Sequence, residues 1–317
     1  MTLSFDLKTH RIVCLAYPLG APEPVLLASN GSIEIIAAEQ FLLMKRHLPD
    51  SEIILYNDSV VPRQTDVLLL LLPLPLVPVA LMEKFERVVY YFDDLTVHKW
   101  RQDESYSQRV AQLKAILHPL KAEAEELRRH TGIFAGHVPW SIARLPNDVA
   151  PKSARPSVFV DMDDRSVYAD SLVSAAKFIE SISEVDVDIH IPERGLPHIP
   201  EGLKPRVNVV RFMPHEQFLR FVGRAWYYAS GIRGSYEYVV LESAKLGCGL
   251  ISLFSAVKPE HRARSQFLAY AGEGGFPEAL RESISQFEPS RILRQASVLY
   301  PEDAVSRIPA VFCEAFQ

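Results

Sequence analysis

Residues 225–253, AWYYASGIRGSYEYVVLESAKLGCGLISL, hold a short apolar run, a loop with two glycines, a run of good helix formers, a single Gly and a second apolar run. Residues 226–229 are predicted as a strand, 230–235 as a loop, 236–246 as a helix and 248–254 as a strand. Gly247 suits the left-handed position that closes a helix. Two strands joined through a helix lie parallel, and a parallel sheet needs helices over both faces. This stretch alone therefore restricts the chain to an α/β architecture. The loop at the strand's carboxyl end also leads into a helix N-terminus, where unpaired N–H groups and the helix dipole favour an anion such as a phosphate.

The same alternation runs through the rest of the chain. Residues 11–17 (RIVCLAY) are predicted as a strand buried on both faces, followed by a loop over 18–32 and a helix over 33–48 with apolar Ile36, Phe41, Leu42 and Leu48. Strands are expected at 52–56, 67–72, 87–92, 114–117 and 133–138, and helices at 79–85 and 119–130, with a polar helical stretch after Asp94. Residues 145–156, LPNDVAPKSARP, carry three prolines and no apolar run, which marks a domain boundary. A second series follows. Its strands fall at 157–161, 187–191, 207–212, 225–229 and 248–253, and its helices at 166–181, 215–222, 236–246, 277–286, 290–295 and 302–316. With 317 residues the chain has room for two cores. The expectation is two Rossmann-like domains, 1–148 and 149–317, each with a parallel sheet, the last helix packing back on the first domain.

Several function classes are disfavoured by composition. A net charge of -5 leaves no broad basic field for nucleic acid or an anionic membrane surface. Cys14, Cys248 and Cys313 are far apart and odd in number, so buried thiols in a reducing, cytoplasmic compartment are expected, without disulfides or zinc. His190 and His198 have no metal spacing with a partner. The longest apolar run, from Val67 to Val79, is broken by Pro73, Pro75 and Pro78 and is too short to span a bilayer. The start, MTLSFDLKTHR, lacks the pattern of a secretory signal.

Residues 228–253, YASGIRGSYEYVVLESAKLGCGLISL, resemble the C-terminal donor-binding signature of GT-B-fold glycosyltransferases of the group 1, family 4-like type. Ser230 matches the Ser at the strand end and Tyr236 the Phe of the glycine loop. Leu241, Glu242, Ser243 and Ala244 match the Leu-Glu-Ala helix, and residues 247–251 the small-residue exit strand. Asn30 to Glu34 is similar to the Gly-Gly-x-Glu that opens the first long helix, and VVRFMPHEQFLRF to the strand, turn and helix before the signature. The resemblance covers most of the chain and implies transfer of a sugar from a nucleotide-diphosphate donor to a hydroxyl acceptor.

It also implies site residues. Glu242 inherits contact with the nucleotide ribose, whereas spacing alone allows either an acceptor for a ribose diol or a solvated helix-face Glu. The first Glu of the family's Glu-x7-Glu pair has no counterpart, since Gly234 stands at its place beside Arg233. The base is expected over Phe212, Met213 and Pro214, and the diphosphate on the amides of Gly234, Ser235 and Tyr236, with Arg233 as counter-charge. Arg165 is the candidate that steadies the leaving diphosphate. Asp161, Asp163 and Asp164 resemble the Asp-x-Asp metal motif of the GT-A fold, but GT-B enzymes usually need no metal and Asp164 is placed to cap a helix. No cofactor or metal is therefore expected. For the acceptor, Asp93, Asp94 and His98 follow the fourth strand, where a carboxylate or imidazole can act as general base; either Asp can equally be a cap or turn former. Trp100 and Tyr106 are either sugar-stacking rings or core. His215 is expected to cap its helix or face solvent, and KPEHRAR, residues 258–264, to be a charged loop. The acceptor classes the resemblance allows are a glycan, a lipid-linked sugar, a protein, a small metabolite and modified nucleic acid. The alternatives to transfer are a non-catalytic nucleotide-sugar-binding protein and a sugar-nucleotide epimerase.

Overall fold

The computed structural model describes residues 10–28, 32–162, 169–230, 238–253, 262–263, 266–270, 272 and 274–316. The chain divides into two compact units: Met1–Arg144 with Tyr300–Gln317, and Leu145–Leu299.

Unit 1 is built on six strands, β1 (Arg11–Leu15), β2 (Glu52–Leu55), β3 (Val67–Leu70), β4 (Arg87–Tyr91), β5 (Ala115–His118) and β6 (Phe134–His137). They pair in the order β2-β1-β3-β4-β5-β6, every pairing parallel. The helices between them are α1 (Glu23–Ala28), α2 (Ser32–His47), α3 (Val79–Met82), α4 (Val97–Gln102), α5 (Glu104–Val110) and α6 (Lys121–Thr131). β1, β3 and β5 are buried at every residue, as continuous runs of Val, Ile and Leu require of strands covered on both faces. Truncating a core side chain such as Leu69 to Ala would cost about 2–5 kcal/mol.

The stretch expected as a loop at 18–32 contains α1. Its proline density reads as a breaker, yet Pro22 accepts from the amides of Val25 and Leu26 and so opens the helix, where proline is tolerated. Leu26 then buries completely.

Unit 2 carries β7 (Ser157–Val160), β8 (Asp188–Pro192), β9 (Val207–Val210), β10 (Tyr227–Ser230), β11 (Gly249–Ser252) and β12 (Phe267–Ala269). Their order is β12-β11-β10-β7-β8-β9, again parallel throughout. The flanking helices are α7 (Ala169–Ser181), α8 (His215–Val222), α9 (Tyr238–Lys245), α10 (Phe276–Ser285) and α11 (Pro289–Leu299). Two apolar clusters cover the two faces, one around Phe178, Ile189 and Tyr227, the other around Phe159, Leu219 and Tyr228. Alternate residues of β10 thus feed opposite layers. Gly247, at φ 77°, closes α9 in the left-handed conformation expected of it. Gly249 is required by packing, because a Cβ there would lie 2.7 Å from the Tyr227 ring. β12 and two 3-10 turns, Glu193–His198 and Glu201–Arg206, were not expected from sequence; the strand has three residues and each turn contains a proline.

The chain ends on unit 1. The turn Ala304–Arg307 packs on α2, and the final helix α12 (Ile308–Ala315) puts Val311 against Gly136 of β6, where a Cβ would approach to 2.8 Å. Ser141 Oγ donates to the Pro301 carbonyl, and Arg87 lies over the Phe316 ring. Where the first pass leaves unit 1, the buried Glu39 carboxylate accepts from the amides of Ala143 and Arg144 and from the Arg144 guanidinium. Among the described residues no helix is long and apolar enough to cross a membrane.

Candidate functional site

In an open parallel sheet the ligand crevice lies at the carboxyl ends of the strands, beside the point where the strand order reverses. That point falls between β1 and β3 in unit 1 and between β7 and β10 in unit 2.

In unit 2, α9 brings an acid into the core. Tyr238, Val240, Leu241, Ser243 and Ala244 are buried, so the helix is covered nearly all round and Glu242 goes in with it, its side chain 1% exposed. The solvated helix-face reading is thereby excluded. A buried carboxylate needs a partner, because desolvation of an isolated charge costs several kcal/mol. The structure supplies one from α8: His215 Nε2 lies 2.7 Å from Glu242 Oε1. This corrects the expectation that His215 caps its helix or faces solvent. Pro214 occupies the N-cap position, and the imidazole stands in the first turn with 23% of its side chain exposed, nearly parallel to the Phe218 ring. Just before it, Phe212 is 91% exposed and Met213 half-buried.

At the end of β7, Asp161 accepts from the Tyr228 hydroxyl at 2.7 Å and from Arg194 Nη2 at 3.3 Å. Arg194 also donates through Nε to the Met162 carbonyl at 2.9 Å, and half of its side chain is exposed. A guanidinium from the end of β8 is thus fixed at the end of β7. Sequence reading passed over Arg194, which lies in the turn PERGLPH with no helical or strand period to mark it. Arg165, Arg233, Gly234, Ser235 and Tyr236 lie outside the described residues, as do Asp163, Asp164 and most of the 258–264 cluster.

In unit 1, Asp93 and Asp94 follow β4. The caps of the next two helices are Thr96 and Asp103, so neither Asp93 nor Asp94 serves as one. The Tyr106 hydroxyl donates to Asp94 Oδ2 at 2.5 Å, while Oδ1 is buried with no partner among the described residues. Both acids keep part of their residue surface open, yet enough protein surrounds the carboxyl groups that burial dominates their protonation. Burial pushes Asp94 up to about 6, against the opposing pull of Tyr106, Lys99 and the Leu74 backbone. It pushes Asp93 up to about 7, opposed by its own backbone and Lys99. These are carboxyl groups able to exchange a proton near neutral pH. Tyr106 is buried, with the Lys99 ammonium 5.6 Å from its ring centre, and so belongs to the core rather than to a stacking platform. Trp100 is half-buried, and His98 is exposed on the first turn of α4.

No protein-family model and no curated protein sequence matches the chain. Solved structures do. AviGT4, a glycosyltransferase involved in avilamycin A biosynthesis, is 13% identical with a TM-score of 0.61, the match covering 96% of each chain. Anabaena Alr3699/HepE, solved with UDP and glucose, is 11% identical at a TM-score of 0.62, over 95% of this chain and 98% of that one. Sucrose-phosphate synthase from Thermosynechococcus elongatus is 12% identical at 0.60, over 96% and 99%.

The chain has the GT-B fold. Two six-stranded parallel sheets with flanking helices, matched over nearly the whole length, carry that assignment. Within this GT-B chain, Glu242 is a buried acid paired with an imidazole in unit 2, and Asp93 and Asp94 are carboxyls of raised proton affinity in unit 1.

Proposed function

We propose that this protein is a glycosyltransferase that moves a sugar from a nucleotide-diphosphate donor to a hydroxyl of an acceptor. The observation that carries the reading is Glu242: an acid buried on the helix that follows β10, held by an imidazole, in a chain whose fold is shared with glycosyltransferases. A carboxylate so held can accept two hydrogen bonds from a ribose diol. Phe212, exposed at the end of β9, offers a face for the base, with Met213 beside it. The amides of Gly234, Ser235 and Tyr236 and the charges of Arg233 and Arg165 are assigned to the diphosphate, with Arg194 as a further cation at the same sheet edge.

On the acceptor side Asp94 is the general base. Its Tyr106 partner orients it, and its raised proton affinity keeps it near the working range for taking a hydroxyl proton. Asp93 and His98 are the neighbouring alternatives. The reading requires no metal or other cofactor. The acceptor's class stays open between glycan, lipid-linked sugar, protein and modified nucleic acid, because the fold serves all of them.

A thermal-shift panel of UDP, GDP, ADP, CMP and their sugars tests the donor, since a ligand that binds only the folded chain raises its melting point. One nucleotide family should raise it, and Glu242→Ala should weaken that binding by roughly tenfold or more with the fold retained. No shift with any nucleotide or sugar nucleotide defeats the proposal. Binding without donor hydrolysis or transfer would instead favour a non-catalytic binding protein.

A further inference from the structure

The pairing of His215 with Glu242 joins residues from two helices across unit 2, and the reading above leaves the imidazole without a role. Glu242 is almost entirely enclosed, whereas His215 retains 23% of its side-chain surface and is the outer member of the pair. The Nε2 to Oε1 distance of 2.7 Å is that of a charge-assisted hydrogen bond, with the imidazole N–H donating to the carboxylate. The ring is held from behind by Phe218, 6.5 Å between centres at 29°, and its backbone is fixed by the Pro214 N-cap that starts α8. Held at both ends, the donor fixes which way the carboxylate faces.

We propose that His215 is the positioning residue that makes this protein selective for ribonucleotides over 2′-deoxyribonucleotides. The proposal rests on the donor reading of Glu242. A ribose offers adjacent 2′ and 3′ hydroxyls, both able to donate, and a 2′-deoxyribose offers one. A carboxylate gains the second hydrogen bond only if its plane meets the diol edge-on, and an off-angle acid cannot tell the two sugars apart. With one carboxylate oxygen bonded to Nε2–H, the buried Glu242 side chain is held toward one orientation. Removing the imidazole takes away a hydrogen bond that orients this buried carboxylate. A carboxylate turned away from the diol edge spans only one hydroxyl, and the discrimination is lost. His215 touches the acid rather than the sugar in this arrangement, so its effect is on selectivity more than on gross affinity.

The test measures dissociation constants of the full chain for whichever of UDP, GDP or ADP gives the largest thermal shift, and for the 2′-deoxy form of the same nucleotide. The wild type should prefer the ribo form by roughly tenfold. His215→Phe keeps a flat ring against Phe218 but removes the donor, and should bring that ratio to about one. His215→Gln restores an N–H donor and should recover most of the preference, a rescue that a purely structural role would not produce. Glu242→Gln, which leaves His215 in place, should also erase the ratio, and it provides the reading if His215→Phe does not fold. A wild type that binds nucleotide with no ribo preference overturns the inference while the donor reading stands. So does a wild-type ratio in folded His215→Phe or in Glu242→Gln. Absence of all nucleotide binding overturns both.

Discussion

Each unit encloses an acid near one sheet edge, and the two acids are treated in opposite ways. In unit 1 Asp94 has a phenol on one oxygen and no described partner on the other, and burial raises its proton affinity to about 6. In unit 2 Glu242 is more deeply enclosed but sits against an imidazole at 2.7 Å. Burial raises the proton affinity of the Asp94 carboxyl despite its short bond to a phenol, whereas the Glu242 carboxyl is set against an imidazole. The contrast teaches that burial alone does not define a role; the partner does. Under the proposed function, proton transfer belongs to one unit and nucleotide recognition to the other. The sheets differ too, unit 2 reversing its strand order at the centre, between β7 and β10, and unit 1 two strands in from its edge, between β1 and β3.

The sharpest way to break this contrast is to neutralise the unit 1 acid. Asp94→Asn should lower transfer or donor-dependent turnover by roughly a hundredfold or more while nucleotide affinity is unchanged. Steady-state rates beside a nucleotide titration of the same variant check it, and a proportional loss of both would mean that the division of labour is wrong.

A smaller effect is expected from pH. With a folded proton affinity near 6, Asp94 is ionised above that value and protonated below it, so turnover should fall about tenfold for each unit of pH below about 6. A rate profile flat from pH 7.5 to 5 would remove Asp94 as the base.

The smallest concerns stability. The Asp93 carboxyl binds its proton more tightly in the folded chain, at about 7, than at its ordinary value of 3.8. Between those values the folded state holds more protons than the unfolded one, so this group's contribution declines as pH rises through that window. Asp93→Asn should therefore raise the melting temperature by a few degrees at pH 8 and lose the advantage by about pH 4. Melting curves of the two proteins at both pH values decide it, and an equal difference at pH 4 and pH 8 would exclude titration as the cause.

Local signals accounted for most of the architecture. β3 is apolar throughout and β1 and β4 are apolar after a leading Arg, runs whose stable setting is the middle of a covered sheet, and Gly247 closes α9 where a left-handed residue was needed. α1 was missed because prolines in a first helical turn look the same in sequence as prolines in a loop. β12 was missed because three residues are too few to display a period.

Asp94 was singled out by its place after a strand, and Glu242 by the resemblance of its helix to a donor-binding signature rather than by its spacing. Period and order are local properties, set by backbone geometry over a handful of residues, and so the chain spelled out its two α/β series in advance. Which partner meets each acid is a long-range property. His215 reaches Glu242 across 27 residues and Tyr106 reaches Asp94 across 12, while Arg194 crosses 33 to Asp161. Those meetings depend on how helices lie over a finished sheet, and no spacing rule along the chain encodes them. The folded packing alone decided that one buried acid would meet a phenol and the other an imidazole.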